Sequence, residues 1–410
     1  MGISFCANGS SPLHEEVFGL LKEKILMAEH THYRGLYRVG AQNLADEFVG
    51  MGHEVLYLSG PLNLYQLRHI PLFRNEHSRE ARKVFFDYII GGVKYDSNLT
   101  SYPVLTLLPI SRKAPFGTSK TALYKSLNFA VPSVFKYIKS RQFNNPDLLL
   151  VSQLAFAQLL EKVEAKTKVL RLTDDISEFD EVPKEIRLVE QWAVSLADYV
   201  VVTSRPLEKR LKSMYGAKVL YCPNGVNLKK MYSVPVTYPT EYRSFQGPIV
   251  VYVGAIDHWF DIELVKFLAT QNKGFHFVII GSPRVNLESV LDVDNIHILG
   301  YRPYTNIPNY LRHADVGIIP FKRCKLVESV SPIKLYEYCA FGLSVVSTNW
   351  EEIKLLNSPA FLADDYLDFN RLLRQAVSLR RTDFSKKCIE FSKFNTWETR
   401  ARMIIDICKK

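Results

Sequence analysis

The sequence predicts an α/β protein built from two parallel-sheet domains, and three observations point there. The chain has 410 residues, long for one hydrophobic core and natural for two. Short apolar runs such as KILMA (24–28), DLLLV (147–151) and PIVVYV (248–253) alternate with helix-like stretches, as expected of strands buried on both faces. Residues 316–347, VGIIPFKRCKLVESVSPIKLYEYCAFGLSVVS, then read as a buried strand (316–319), a polar loop, a helix (332–341) and a second buried strand (344–347), the order of a parallel unit.

The start of that helix carries the first functional signal. Ser331 is placed at the N-cap, Pro332 at the first helical position and Gly342 just past the end. The first turn, including Ile333, offers backbone N–H groups and the positive end of the helix dipole to a phosphate, and Lys334 adds a cation. Glu337 lies one turn on and can accept hydrogen bonds from ribose hydroxyls. Taken alone, S-P-x-K-x-x-E is also compatible with a solvated i,i+3 pair on an ordinary helix.

Composition bounds the rest. Apolar content of 47% with 12% aromatics describes a globular protein and excludes a disordered one. Six cysteines without C-x-x-C or regular spacing indicate neither a zinc site nor a disulfide framework, and suggest a reducing cytoplasm. No apolar run approaches a membrane span, the first twenty residues lack signal-peptide features, and Met1-Gly2 is discounted as a myristoylation site because Cys6 stands where Ser or Thr is wanted. The net charge is +10, and between Ser111 and Arg141 there are seven Lys/Arg, no Asp or Glu, and interleaved aromatics at Phe116, Tyr124, Phe129, Phe135 and Tyr137. Such a segment suits an anionic membrane surface. Nucleic acid is set behind it, since no RNA- or DNA-binding pattern accompanies the patch. A solvated helix face with core aromatics is the structural alternative.

Taken in order, residues 1–21 are uninformative. A strand at 24–28, a polar loop at 29–38 carrying Arg34 and Arg38, a helix at 39–51 stopped by Gly52 and a strand at 54–58 open the first domain. Residues 62–103 give no clear element, and 104–108 reads as a strand. Strands at 147–151 and 169–173 follow, with a helix at 153–163 between them; the second strand ends in Asp174-Asp175, where an open α/β sheet binds ligands. Two carboxylates there can serve as a base or can cap the next turn. A helix at 181–196, a strand at 199–202, a helix at 205–214 and a strand at 218–222 lead to the turn-rich Pro223-Asn224-Gly225-Val226-Asn227. Residues 228–247 show no element. The second domain opens at 248–253, followed by Gly254, Ile256 and Trp259 as possible borders of a ligand or parts of a tight turn. Strands at 275–280 and 296–299 and a helix at 307–313 precede the 316–347 unit. After it come a strand near Ala360, helices at 366–379 and 384–394, and a final helix over 395–408 with Thr396 at its N-cap.

SPIKLYEYCAFGLSVVS resembles the nucleotide-sugar signature of GT-B glycosyltransferases, with Ser344 where many relatives have proline. PNGVN resembles the interdomain linker of that fold. VLRLTDDIS resembles the R-x-S-D-G segment of inverting, membrane-associated GumK-type glucuronosyltransferases and related bacterial exopolysaccharide enzymes, with Asp175 replacing the family's glycine. The resemblance implies two Rossmann-like domains with an interdomain cleft: an acceptor domain over 1–226 that includes the basic membrane-facing segment, a donor domain over 227–394, and a helix over 395–410 crossing back. It implies an Asp174 or Asp175 base, and a nucleoside-diphosphate sugar, UDP-linked, held by Gly254, Ile256, Phe321, Ser331, Ile333, Lys334 and Glu337. Arg34 and Arg38 would meet an anionic substrate, and the acceptor would be a polyprenyl-diphosphate-linked saccharide at the inner face of the cell membrane. No metal or resident cofactor is expected, and no D-x-D is placed to hold a metal. No histidine stands near Asp174 in sequence, where retaining relatives tend to have one. A retaining transferase and a non-catalytic sugar-nucleotide or membrane-binding protein are the alternatives.

Overall fold

The computed structural model describes residues 22–35, 38–63, 76–108, 110, 116–176, 185–380 and 382–409. The expected arm at 1–21, Tyr65, Arg112, Lys113 and the start of the 181–196 helix lie outside them.

Two sheets organise the chain. The first contains β1 (Lys24–Glu29), β2 (Glu54–Asn63), β3 (Val93–Asp96), β4 (Leu99–Thr106), β5 (Leu148–Val151), β6 (Thr167–Leu172), β7 (Tyr199–Val202) and β8 (Val219–Tyr221) in the order β3-β4-β2-β1-β5-β6-β7-β8. The second contains β9 (Ile249–Val253), β10 (His276–Ile280), β11 (Ile296–Gly300), β12 (Val316–Ile319), β13 (Ser344–Thr348) and β14 (Phe361–Ala363) in the order β11-β10-β9-β12-β13-β14. Every pairing is parallel except β3 with β4. The apolar runs read from the sequence become fully buried strands: all four residues of β5 and of β12 are buried.

Eight helices frame the cleft and its surroundings: α1 (Gly40–Gly50), α2 (Glu76–Ile89), α3 (Val134–Ser140), α4 (Arg205–Tyr215), α5 (Leu228–Ser233), α6 (Ile333–Ala340), α7 (Glu351–Leu355) and α8 (Trp397–Ile407). Several elements were not fully legible in the sequence, β3 and α7 among them. Helix α2 turns Phe85, Phe86 and Ile89 outward, so its apolar stripe does not mark a core face. Strand β4 mixes Thr100, Ser101 and Pro103 into its buried run, which hid its first part, so that only 104–108 reads as strand. Helix α5 is short and is started by Asn227, whose side chain accepts from the N–H of Lys230 at 2.9 Å.

The final helix belongs to the first domain's core. Thr396 caps it by accepting from the N–H of Thr399. Trp397, Ala401, Ile404 and Ile405 share one face by their spacing and pack with Phe48 of α1, Met27 of β1 and Tyr57 of β2. Where the chain crosses, the N–H of Val226 donates to Asn395 O at 3.0 Å and that of Trp397 to Val226 O at 3.1 Å. Trp397 is fully enclosed, and truncating such a side chain leaves a cavity worth about 3–5 kcal/mol. Trp397→Ala is therefore expected to lower the unfolding temperature of the first domain by several degrees, read by thermal denaturation with and without a nucleotide bound to the second.

Candidate active site

In each sheet the strand order reverses once, between β1 and β5 in the first and between β9 and β12 in the second. Crevices at the carboxyl ends of strands form at such reversals, and here the two face each other. A cavity of about 310 Å³ lies between them, lined by Glu29, His30, Ser152, Arg171 and Asp174 from one sheet and by Ala255, Trp259, Phe321, Ser331, Ile333 and Lys334 from the other. That volume is at the lower end for ligand pockets, roughly 300–1,000 Å³.

The second crevice is held open by a tyrosine wedge. β12 pairs with β9 only at Val316 and Gly317, after which the ring of Tyr338 occupies the gap. A Cβ at Gly317 would lie 2.3 Å from that ring, so only glycine fits there. The Tyr338 hydroxyl accepts from the N–H of Val253 at 2.8 Å, satisfying a strand donor left without a neighbour.

Helix α6 points its start into this opening. Its N-cap is Pro332, with extended ψ of 112°, one residue later than Ser331, and no side chain caps it. Proline has no N–H to be satisfied, and the Ser331 carbonyl is taken instead by Asn224 Nδ2 at 2.7 Å. The N–H groups of Ile333 and Lys334 thus begin the helix at the cavity wall. Lys334 lies across Gly254, whose φ is +152° and where a Cβ would come within 3.1 Å of Lys334 Cε. Its ammonium sits 4.6 Å from the Phe321 ring centre and 5.4 Å from that of Tyr252. Burial lowers its pKa to about 8, against the opposing effect of Glu337. Glu337 is itself buried, which raises its carboxyl to about 7, and it accepts from the Tyr304 hydroxyl at 2.8 Å. Tyr304 escaped the sequence reading because it lies on a polar loop 33 residues away.

On the facing wall, burial raises the Asp174 carboxyl, while a hydrogen bond from the Thr173 hydroxyl at 2.9 Å and the charge of Arg171 oppose the shift. Asp175 points away: it sits 3.7 Å from Arg187 and 3.4 Å from Arg210, outside the cavity lining. Arg187 and Arg210 draw Asp175 off, so of the two aspartates only Asp174 meets the cleft. Arg171 is enclosed and donates to Asn224 Oδ1 at 3.3 Å.

Gly254 and Glu337 lie beside Lys334 but outside the cavity lining, and four further expected site residues are placed elsewhere. Ile256 is wholly buried in the second domain's core because its carbonyl is fixed by the N–H of Arg284 at 2.8 Å, so Ala255 and Trp259 border the cavity in its stead. Arg34 stacks on Tyr95 at 4.4 Å on the outer side of its loop. Arg38 is held by Asp46 and by Asn43 Oδ1 at 3.1 Å, which satisfies its charge away from the lining. Asp175 is the fourth.

The lining residues that were missed include Glu29 and His30. Glu29 closes β1; it accepts from Ser152 Oγ at 2.8 Å, and burial raises its carboxyl to about 7. His30 follows it, open to the cleft, with its pKa lowered first by the surrounding protein and then by Arg171, so it is neutral at pH 7. No histidine is near Asp174 in sequence, but the fold brings one into the same cavity. Their place at the carboxyl end of the first strand was the available signal.

Comparison with known proteins places this geometry. Residues 247–372 match the family model described as glycosyl transferases group 1. TuaH of Bacillus subtilis (strain 168), assigned as a teichuronic acid biosynthesis glycosyltransferase, is 26% identical over 185 residues, 43% of this chain and 46% of the relative. The match thus spans about half the length of that relative. The sucrose-phosphate synthase tll1590 of Thermosynechococcus elongatus superposes with a TM-score of 0.67 at 16% identity, covering 95% of this chain and 98% of the other. HepE of Anabaena, in complex with UDP and glucose, gives 0.63 at 13% identity, covering 95% and 100%. With both sheets and their facing crevices, the chain has the GT-B fold of these structures, and residues 247–372 match the group 1 glycosyl transferase family.

Proposed function

We propose that this protein moves a sugar from a UDP-sugar to a lipid-linked saccharide acceptor in polysaccharide synthesis, with inversion and with Asp174 as the base, working peripherally at the inner face of the cell membrane. The observation that carries this reading is one cavity with Asp174 on one wall and the start of α6 with Lys334 on the other. The relation to TuaH supports the polysaccharide setting, and the UDP complex of HepE supports the donor.

The chemistry follows from the groups present. The Asp174 carboxylate takes the proton of an acceptor hydroxyl as its oxygen attacks the anomeric carbon. The bond from that carbon to the donor phosphate oxygen breaks on the opposite face. The departing diphosphate gathers negative charge, met by the Lys334 ammonium and the N–H groups of Ile333 and Lys334. Glu337 takes the ribose hydroxyls once Tyr304 yields its hydrogen bond. The presence of His30 in the cleft makes retention the second reading; the anomeric configuration of the product decides between them.

Asp174→Asn is expected to reduce transfer by at least about a hundredfold with UDP affinity unchanged in calorimetry; full activity removes Asp174 from the mechanism. Lys334→Ala removes a charge-assisted contact and is expected to weaken UDP binding roughly 10- to 150-fold. A pH dependence arises as well. Lys334 binds diphosphate only as the ammonium, so affinity falls as pH rises through its pKa of about 8. Glu337 accepts hydroxyls best as the carboxylate, so affinity also falls below its pKa of about 7. UDP affinity measured by calorimetry between about pH 6 and 9 should peak between these values, and Lys334→Arg should abolish the alkaline fall because guanidinium stays charged.

A further inference from the structure

Eight of the nineteen large apolar side chains exposed among the described residues fall between Phe85 and Val131. Four of them, Phe85, Phe86, Ile89 and Ile90, recur at the spacing of one helical face, and that face of α2 is turned away from the protein. Phe86 is 60% exposed and Ile89 62%. Its opposite face holds Val84 and Asp87 against the domain. The patch does not stop at the helix. The Tyr88 hydroxyl donates to the carbonyl of Val131. The N–H of Leu107, just past β4, donates to Phe129 O at 3.0 Å. The hydroxyl of Tyr137 and the guanidinium of Arg141 reach Gly91 O from α3 and its end, at 3.0 and 3.4 Å. Exposed apolar groups of α2, the carboxyl end of β4 and the segment before α3 therefore form one surface.

Its charge is of one sign. Arg82 and Lys83 lie on α2, and Lys120, Lys125, Lys136 and Lys139 lie on the segment that borders it, all exposed. No Asp or Glu occurs from Phe116 to Arg141. The only acid among the described side chains of α2 is Asp87, which faces inward to His32 Nε2 at 3.3 Å and Tyr95 Oη at 3.1 Å. We propose that this face, with the outward stripe of α2 as its apolar centre and the cations of α3 and the preceding segment as its rim, lies against an anionic lipid bilayer. Apolar side chains enter the acyl boundary while lysines meet the headgroups, the division of labour of an interfacial helix. A soluble nucleic-acid partner would use the cations and leave the aliphatic stripe in water.

The placement fits a membrane-borne acceptor, the part of the proposed function on which this inference rests. β4 ends on the same side of the sheet as β1, whose last residues line the cleft. His32, on the loop after β1, touches α2 through Asp87. A docked protein thus presents the acceptor side of its cleft one layer of residues from the lipid.

The test is co-sedimentation of the full chain with vesicles of phosphatidylglycerol and phosphatidylcholine, and with vesicles of phosphatidylcholine alone, in the absence of any nucleotide. The protein is expected to bind the anionic vesicles at least about tenfold more tightly. Phe86→Ser with Ile89→Ser, and separately Lys136→Ala with Lys139→Ala, should each lower that binding at least about tenfold while the melting temperature and UDP affinity stay unchanged. Failure of the unaltered protein to bind anionic vesicles, or binding by both double variants equal to it, overturns the proposal. So does a concentration-dependent dimer in sedimentation velocity, abolished by the apolar double variant and accompanied by no vesicle binding, which would assign the face to a second copy. Vesicle binding without UDP binding would sustain this proposal and defeat the transferase reading.

Discussion

The geometry of the cleft depends on Asn224. Its buried side chain accepts from Arg171 of the first sheet at 3.3 Å and donates to the Ser331 carbonyl at the start of α6 at 2.7 Å. Arg400 of α8 reaches its backbone carbonyl at 3.2 Å. One linker amide therefore fixes the strand that leads to Asp174, the helix that opens on the cavity and the returning C-terminal helix relative to one another. A buried amide with all its partners is worth far more in place than the same groups left unpaired. Other contacts close the same seam. Glu352 of α7 is completely buried and accepts from the N–H of Arg205, at the start of α4, at 2.6 Å and from Tyr221 at 3.1 Å. Asn227 donates to Glu47 at 2.8 Å, and Ile333 packs against the first domain's core.

Within that frame, burial sets the chemistry of the cleft. Lys334, Glu337, Glu29 and Asp174 are all shifted toward neutrality by the loss of water, each only partly offset by a neighbour. With the carboxyls of Glu29 and Glu337 titrating at about 7 and the Lys334 ammonium poorly solvated, the site holds its charges at a cost before a ligand arrives. In the proposed reaction a diphosphate would supply the counter-charge that stabilises the ammonium, so the electrostatic gain would be concentrated on binding and on the charge that develops as the diphosphate leaves. The ring faces of Phe321 and Tyr252 hold the lysine in line meanwhile.

Neighbouring residues with equal claims in the sequence were separated by geometry. Asp174 and Asp175 are adjacent at the strand end, yet one enters the cavity and the other joins Arg187 and Arg210. Arg38 had the right charge on the right loop, but Asp46 on the following helix neutralises it first. Ile256 had the apolar character of a ligand border and was claimed by the core. Glu29 and His30 carried no local motif at all.

The sequence by itself determined the parallel α/β class, the helix whose start lines the cavity and most of its flanking strands, because continuous apolar runs, a proline at a helix start and a glycine past its end are local signals with one structural solution. It also determined the cationic segment, since charge is read directly. Only the tertiary structure decided which polar side chains share a cavity. That depends on where two strand reversals face each other across a linker, and on which charges find partners before a ligand does. Only it could show the outward stripe of α2, because a helix with an apolar face looks the same in sequence whether that face meets a core or water.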